Sequence, residues 1–228
     1  LQNTATRAMI DQRAIARRKP TALPNTSKSR TPSRIQQKNR NLILDAALEV
    51  FANQGFRGAT LDAIAAEAGL SKPNILYYFS GKEEIHVTLL NQLLETWLDP
   101  LKQMDPNGDP KAEILKYVHR KLDMAMSLPR ESRLFANEIL QGAPRIRTHL
   151  ETDLKPLLED RTKIIETWMT QGKIARCNPT HLIFAIWSTT QHYADFAAQI
   201  DVLTPDTEQS GKDASVFLDQ LFSKLLDV

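Results

Sequence analysis

A chain of 228 residues with 42% hydrophobic and 25% charged side chains has the composition of a folded protein with one small and one medium domain. No apolar run approaches the roughly 20 residues that a membrane helix needs. The single cysteine, Cys177, excludes an internal disulfide and has no metal-ligand companions at useful spacing, and a reducing cytoplasm is its simplest home. The net charge of +2 conceals an asymmetry. Residues 1–27 hold five Lys/Arg against one acid, residues 28–82 hold eight against four, and residues 83–228 hold 16 against 22. A basic front and an acidic back point either to a polyanionic partner at one end or to a merely solvated basic tail.

Residues 1–33 mix Arg, Lys, Ser and Thr with Pro20, Pro24 and Pro32 and few large apolar groups. Such a stretch cannot bury enough apolar surface to offset its ordering entropy. Residues 1–34 are therefore expected to be a disordered basic tail, a passenger rather than a dedicated DNA arm. It lacks the apolar core of a secretory signal. Its first residue, Leu1, leaves a non-AUG start, a truncation or a start at Met9 open.

From Ile35 onward nearly everything has helical period. Ile43, Ala46, Ala47, Val50 and Phe51 fall at i, i+3, i+4, i+7 and i+8, a buried stripe that Gly55 should end. Thr60 caps a second, short helix with Leu61, Ile64, Ala65 and Ala68 inward and Asp62 near its positive end. Gly69-Leu70-Ser71 is a tight turn, and Ser71 caps a third helix running to about Tyr78. Ser80-Gly81-Lys82-Glu83 reads as a capping box, opening a long helix through Ile85, Leu89, Leu93 and Trp97 to about Met104.

Asp109-Pro110 starts the next helix, which stops near Leu128-Pro129, and another runs from Arg130 to Gln141. A helix from Arg147 or Thr148 to Gln171 should kink or break at Pro156. Asn178-Pro179 opens a strongly apolar helix to about Ile200. Residues 204–211 read as a loop, and Ala214 to Asp227 as the last helix. No alternating pattern survives, so the fold class is all-α. It divides into a small helical unit at 35–82, expected to be a helix-turn-helix DNA-binding domain, and a larger helical unit at 83–228, for which family resemblance implies ligand binding and dimerisation.

Two short helices joined by Ala68-Gly69-Leu70-Ser71 have the geometry of a helix-turn-helix. Lys72, Pro73 and Asn74 occupy the N-terminal end of the second helix, where a recognition helix meets base edges. Lysine can donate to guanine, asparagine can pair with adenine, and the proline face suits a thymine methyl. Thr60, Tyr77, Tyr78 and Lys82 lie where hydroxyls and an ammonium could grip phosphates, although one of the two tyrosines can equally be core.

Residues 38–85 closely resemble the DNA-binding domain of the TetR family of bacterial regulators. The likeness rests on Ala46-Ala47, Phe51, Gly55-Phe56, Thr60, Ile64-Ala65, Ala68 to Ser71, Tyr77, Phe79 and Lys82-Glu83. One departure is Leu76, which stands where most of the family carries a phosphate-contacting tyrosine; this shifts the expected contacts to Tyr77, Tyr78 and Lys82. Further stretches, Trp97 to Lys102, Ser132 to Phe135, Gly142 to Pro144 and Ile186 to Phe196, resemble the subgroup of pyrimidine-utilisation regulators.

That resemblance implies no cofactor but a small-molecule effector, uracil or thymine. Trp97 and Trp187 would wall its ring, Gln191 would bond its amide edge, and Phe135 and Tyr193 complete the candidate pocket. Trp187, Gln191 and Asp195 share one face at i, i+4 and i+8, and a carboxamide can match the donor–acceptor edge of such a ring. Tryptophan in a helical domain is also ordinary core, and a different effector on the same scaffold stays open. The family further implies a homodimer through residues 178–200 and 213–227 on palindromic double-stranded operator DNA, with no membrane partner. The apolar residues Ile183, Ile186, Phe217, Leu218, Leu221 and Leu225 suit such an interface.

Two other classes compete. An enzyme would need convergent catalytic groups. The five histidines, His86, His119, His149, His181 and His192, show no metal spacing, and there is no phosphate loop. A sequence-indifferent nucleoid-type protein would show steep salt dependence without operator preference.

Overall fold

The computed structural model describes residues 34–204 and 206–228; the expected tail at 1–33, with Met9, lies outside them. Every regular element among the described residues is helical. Helix α1 (Arg34–Gly58) buries Ile43, Ala46, Ala47, Val50 and Phe51, and Gly55 interrupts it with φ 66°, ψ 172°. Helix α2 (Leu61–Ala68) is capped by Thr60, whose Oγ1 accepts from the Ala63 N–H at 3.1 Å. It ends at Gly69, whose φ of 63° and ψ of 28° lie in the left-handed region that a β-carbon disfavours. Helix α3 (Lys72–Tyr78) follows, capped by Ser71.

Helix α4 (Lys82–Lys102) spans the molecule and carries Pro100 near its C-terminal end. Its N-terminal clasp differs from the expected box. Gly81 is the N-cap and makes no side-chain bond, while the Ser80 N–H and Oγ both donate to Glu84 Oε2, at 2.7 and 2.8 Å. The serine therefore sits one residue earlier than expected, and Glu84 replaces Glu83 as its partner. These bonds hold the Glu84 carboxyl below its ordinary range.

Helices α5 (Pro110–Ser127) and α6 (Pro129–Leu140) start close to where the prolines placed them. The long helix expected from 147 to 171 is resolved into three pieces: α7 (Arg147–His149), a π turn (Leu150–Leu154) and α8 (Lys155–Thr170). Pro156 has no N–H to give to the preceding turn, and the wider π turn directly upstream accommodates that loss. Helix α9 (Pro179–Asp195) stops short of Ile200 because Phe196 leaves helical geometry (φ −113°, ψ 24°), and α10 (Ala197–Leu203) restarts after it.

The expected loop at 204–211 is shorter than its composition suggested. Asp206 caps α11 (Thr207–Leu226) by accepting from the Gln209 N–H at 3.0 Å. Gly211 stands inside α11 beside the flexible, exposed end of the Met126 side chain of α5, which would have to move for a β-carbon there.

Two cores result. The first gathers Ile43 and Phe51 of α1, Ile64 of α2 and Ile75 of α3. It continues into Ile85, Leu90 and Trp97 of α4, Leu134 of α6 and Ile146. The second joins α5, α8, α9 and α11 through Ile114, Trp168, Ile183, Leu218 and Phe222. At about 1.5–3 kcal/mol for each large side chain fully buried, these clusters supply most of the driving force for folding. Of the six apolar residues expected at a dimer face, Ile183, Ile186 and Leu218 turn into the second core, whereas Phe217, Leu221 and Leu225 remain exposed.

Candidate functional site

The helix-turn-helix is assembled from α2 and α3, with Ile64, Ala65, Ile75 and Phe79 buried between them and α1. This leaves Ser71, Lys72, Pro73 and Asn74 on the exposed N-terminal edge of α3. Ser71 Oγ accepts from the Asn74 N–H at 3.4 Å and so fixes the first turn. Lys72 pairs with Asp62 at 2.9 Å, but both side chains are largely exposed, so the bond costs under about 1 kcal/mol to exchange for DNA. Tyr77 is 71% exposed. Tyr78 is half-buried, packs on the first core, and its hydroxyl accepts from Asn39 Nδ2 at 2.9 Å. Leu76 is exposed beside them.

Lys82 has a different setting from the other expected contacts. Its Nζ donates to the carbonyls of Phe56 and Ala59 at 2.9 and 2.8 Å and lies 4.7 Å from the centre of the Phe56 ring. This ammonium fastens the first turn of α4 to the segment between α1 and α2. Arg40 does the same from the other side, donating to the Tyr78 carbonyl at 3.1 Å and stacking 4.1 Å over Phe79.

A cavity of about 540 Å³ lies among α4, α5, α6 and α9. Helix α4 contributes Leu94, Trp97, Leu98 and Leu101; α6 contributes Phe135, Ala136 and Ile139; and α9 contributes Trp187, Gln191 and Asp195. Of the expected pocket residues, Trp97, Phe135, Trp187 and Gln191 are brought together here. Tyr193 is not among them. It turns to the opposite side of α9, packs against the second core and lines a separate groove near α11, because two residues on a helix rotate a side chain by about 200°.

Trp97 and Phe135 lie nearly parallel, with centroids 6.3 Å apart and planes 23° apart. Gln191 Nε2 donates to Ser132 Oγ and, at 3.1 Å, to Asp195 Oδ1; Ser132 Oγ donates to the same carboxylate at 2.9 Å. The amino half of the carboxamide is thus held by protein, and its carbonyl half carries the acceptor capacity left for a ligand.

Two wall residues went unnoticed in the sequence. Tyr117 and Lys121 of α5 both reach this cavity. Tyr117 Oη accepts from Trp187 Nε1 at 2.6 Å, and burial pushes its phenol pKa up. Lys121 is 4% exposed, its Nζ stands 5.5 Å from the Trp97 ring centre, and burial drives its pKa down to about 8. A signal for it existed: Ile114, Tyr117, Val118, Lys121, Leu122 and Ala125 form one inward stripe, and a lysine interrupts it.

The reading head and the cavity wall meet at Arg145. Its guanidinium stacks 3.6 Å over Phe56, pairs with Glu138 at 2.9 Å and stands 3.8 Å from Glu83 at the start of α4. Glu138 is 1% exposed and also accepts from the Arg145 N–H at 2.7 Å. It belongs to α6, whose other side faces the cavity. His86, edge-on to Phe51 and Phe56, lies in the same junction; burial, with the Arg145 charge added, pushes its pKa down to about 4.

An exposed recognition-helix edge on a compact helical head, joined by one long helix to a walled cavity, defines a helix-turn-helix transcription regulator. Residues 43–87 match the family described as bacterial regulatory proteins, tetR family, and residues 90–227 match the C-terminal region of YcdC-like proteins. The chain belongs to the TetR family of DNA-binding transcriptional regulators.

It is 44% identical to the HTH-type transcriptional regulator RutR of Escherichia coli K12, over 77% of this chain and 82% of that protein. Among solved structures, a tetR-family regulatory protein from Rhodococcus RHA1 superposes with a TM-score of 0.69 at 18% identity, covering 83% of this chain and 97% of that one. AibR in complex with isovaleryl coenzyme A and operator DNA superposes with a TM-score of 0.63 at 15% identity, over 80% and 97%.

Proposed function

We propose that the protein is an effector-released repressor that binds a palindromic operator as a homodimer, and that the effector is a small planar ring compound held in the α4–α6–α9 cavity. Uracil and thymine are the first candidates, and genes of pyrimidine or nitrogen metabolism the first candidate targets. The observation that carries this reading is the run of α4. Its first turn is fastened to the reading head by Lys82, and Trp97 near its far end walls the cavity. A ligand that moves Trp97 shifts the element that positions α3.

In this reading residues 35–82 are the reading head and residues 83–228 the effector and dimerisation part. Lys72, Pro73 and Asn74 meet base edges, while Thr60, Ser71, Tyr77 and Tyr78 contact or orient toward phosphates. Lys82 positions the head and adds its charge from behind. The exposed Phe184 of α9 with Phe217, Leu221 and Leu225 of α11 supports the dimer, since such a face is normally covered. The two α3 helices would then lie about 34–36 Å apart, one turn of DNA. AibR, described with both operator DNA and isovaleryl coenzyme A, supports a fold that carries one site for DNA and another for a ligand.

The test starts from an operator selected out of random duplexes by the purified protein. Saturating uracil or thymine is expected to weaken operator binding at least tenfold, a coupling of about 1.4 kcal/mol. The same compounds should raise the melting temperature, and Gln191→Ala should abolish that rise. Operator affinity that stays unchanged with every effector tried would overturn the release mechanism. Binding without any preferred duplex would favour the nucleoid-type reading instead.

A further inference from the structure

The cavity holds one feature that a neutral ring does not require. Lys121 is 4% exposed and lines the cavity, yet among the described residues no hydrogen bond or ion pair reaches its ammonium; its one polar-type contact is the Trp97 ring face. The carboxylate across the cavity, Asp195, is already engaged by Ser132 and Gln191. Burying a charge without a partner is costly, and such a charge is normally neutralised or paired.

Tyr117 stands four residues earlier, on the same face of α5. Its Oη accepts from Trp187, which leaves its own O–H to donate, and among the described residues it donates no hydrogen bond. One helix face therefore presents an ammonium and a phenolic O–H to one cavity. Size points the same way. Even at the ~30 Å³ that each water occupies in the liquid, the eight heavy atoms of uracil take about 240 Å³. The cavity, at about 540 Å³, has room for a substituent.

We propose that the effector is a monocarboxylate: a planar ring carrying one carboxylate that accepts from the Lys121 ammonium and the Tyr117 hydroxyl, while the ring lies against Trp97. The charge count selects this group. Arg133 and Asp195 also line the cavity but are exposed and opposite in sign, so the buried Lys121 is the charge to be balanced. One carboxylate balances it, whereas a phosphate dianion would leave a net negative charge in a largely apolar site. The proposal rests on the effector reading above and narrows it to an acid.

Calorimetric titration of the full chain with uracil, its 5- and 6-carboxylates and benzoate tests it. At pH 7 a pyrimidine carboxylate is expected to bind at least tenfold tighter than uracil. Lys121→Met should erase that advantage, so that the carboxylate binds the variant no tighter than uracil does, and Tyr117→Phe should erase part of it. Lys121→Met conserves volume and removes a desolvated charge, so the ligand-free variant should melt at or above the parent temperature, which separates lost binding from misfolding.

The affinity for the carboxylate should fall as pH rises through about 8, where the ammonium is lost. The other charged and titratable groups facing the cavity are Tyr117 on α5, Arg133 on α6 and Asp195 on α9. Uracil binding as tightly as either carboxylate, or an advantage that survives Lys121→Met, overturns the acid and leaves the pyrimidine reading standing. Benzoate binding without any pyrimidine overturns the pyrimidine and leaves the acid. Binding of none overturns both.

Discussion

The reading head and the effector cavity are built by opposite strategies. In the head the caps and the turn of α2 and α3 close locally: Thr60 holds the N–H of Ala63, Ser71 that of Asn74, and Leu70 bonds back to Ala65, with Arg40 and Asn39 docking the end of α3 from α1. In the cavity the corresponding partners come from distant segments. Trp187 bonds Tyr117 across 70 positions, and Gln191 bonds Ser132 across 59. Local closure sets the form of each short helix and its turn, while the core shared with α4 and α6 holds them in place. Distant closure makes a chamber whose shape depends on how four helices happen to pack, which is what a ligand can alter.

This contrast can be broken most severely where the two regions touch. Arg145→Ala leaves Glu138 buried without its cation and removes the cover from Phe56, and is expected to cost about 3–5 kcal/mol in urea denaturation. A loss below about 1 kcal/mol would mean that head and chamber are energetically separate.

A milder probe is acid. His86 has a native pKa of about 4 against an ordinary 6.5, so the unfolded chain binds the proton more readily. The stability this confers is complete above pH 6.5 and is lost as pH falls toward 4, by at most about 3 kcal/mol. His86→Leu should flatten that part of the pH profile.

Within the head, Asn74→Ala should weaken the operator by about 1–3 kcal/mol while leaving the melting temperature within a degree or two. Fluorescence anisotropy with matched and mismatched duplexes checks both affinity and the relaxed preference. The smallest effect is expected at Thr60→Ala, about 1 kcal/mol of stability from the lost cap, with effector affinity untouched. An effect of that change on ligand binding would erase the contrast between local and distant closure.

The same contrast accounts for what could be read in advance. Caps and punctuation placed the helices because Thr60, Ser71, Asp109 and Asn178 act within three residues of themselves. Asp206 acts the same way, but Gly211 and the polar run around it disguise the start of α11; the glycine lies inside the helix, where nothing but the movable end of Met126 meets it.

Helical period put Trp187 and Gln191 on one face but could not tell which of their neighbours turned away, so Tyr193 was grouped with a cavity it does not line. Lys121 was missed for a complementary reason: its significance comes from what surrounds it on α4, α6 and α9. The fastening role of Lys82 likewise follows from carbonyls 23 and 26 positions away.

The continuity of the first core has a further consequence. Ile43, Phe51 and Ile75 share one cluster with Trp97, Leu134 and Ile146, so no plane through the molecule separates a DNA-binding unit from a ligand-binding unit without exposing apolar surface. Melting should accordingly be a single cooperative transition, and amide exchange in α2 and α3 should slow when the chamber is filled. A fragment ending at Lys82 would lose the packing of Ile85, Leu90 and Trp97 against its own helices. The head therefore owes its persistence as a folded object, and with it the lifetime of any complex on DNA, to the part of the chain that walls the cavity.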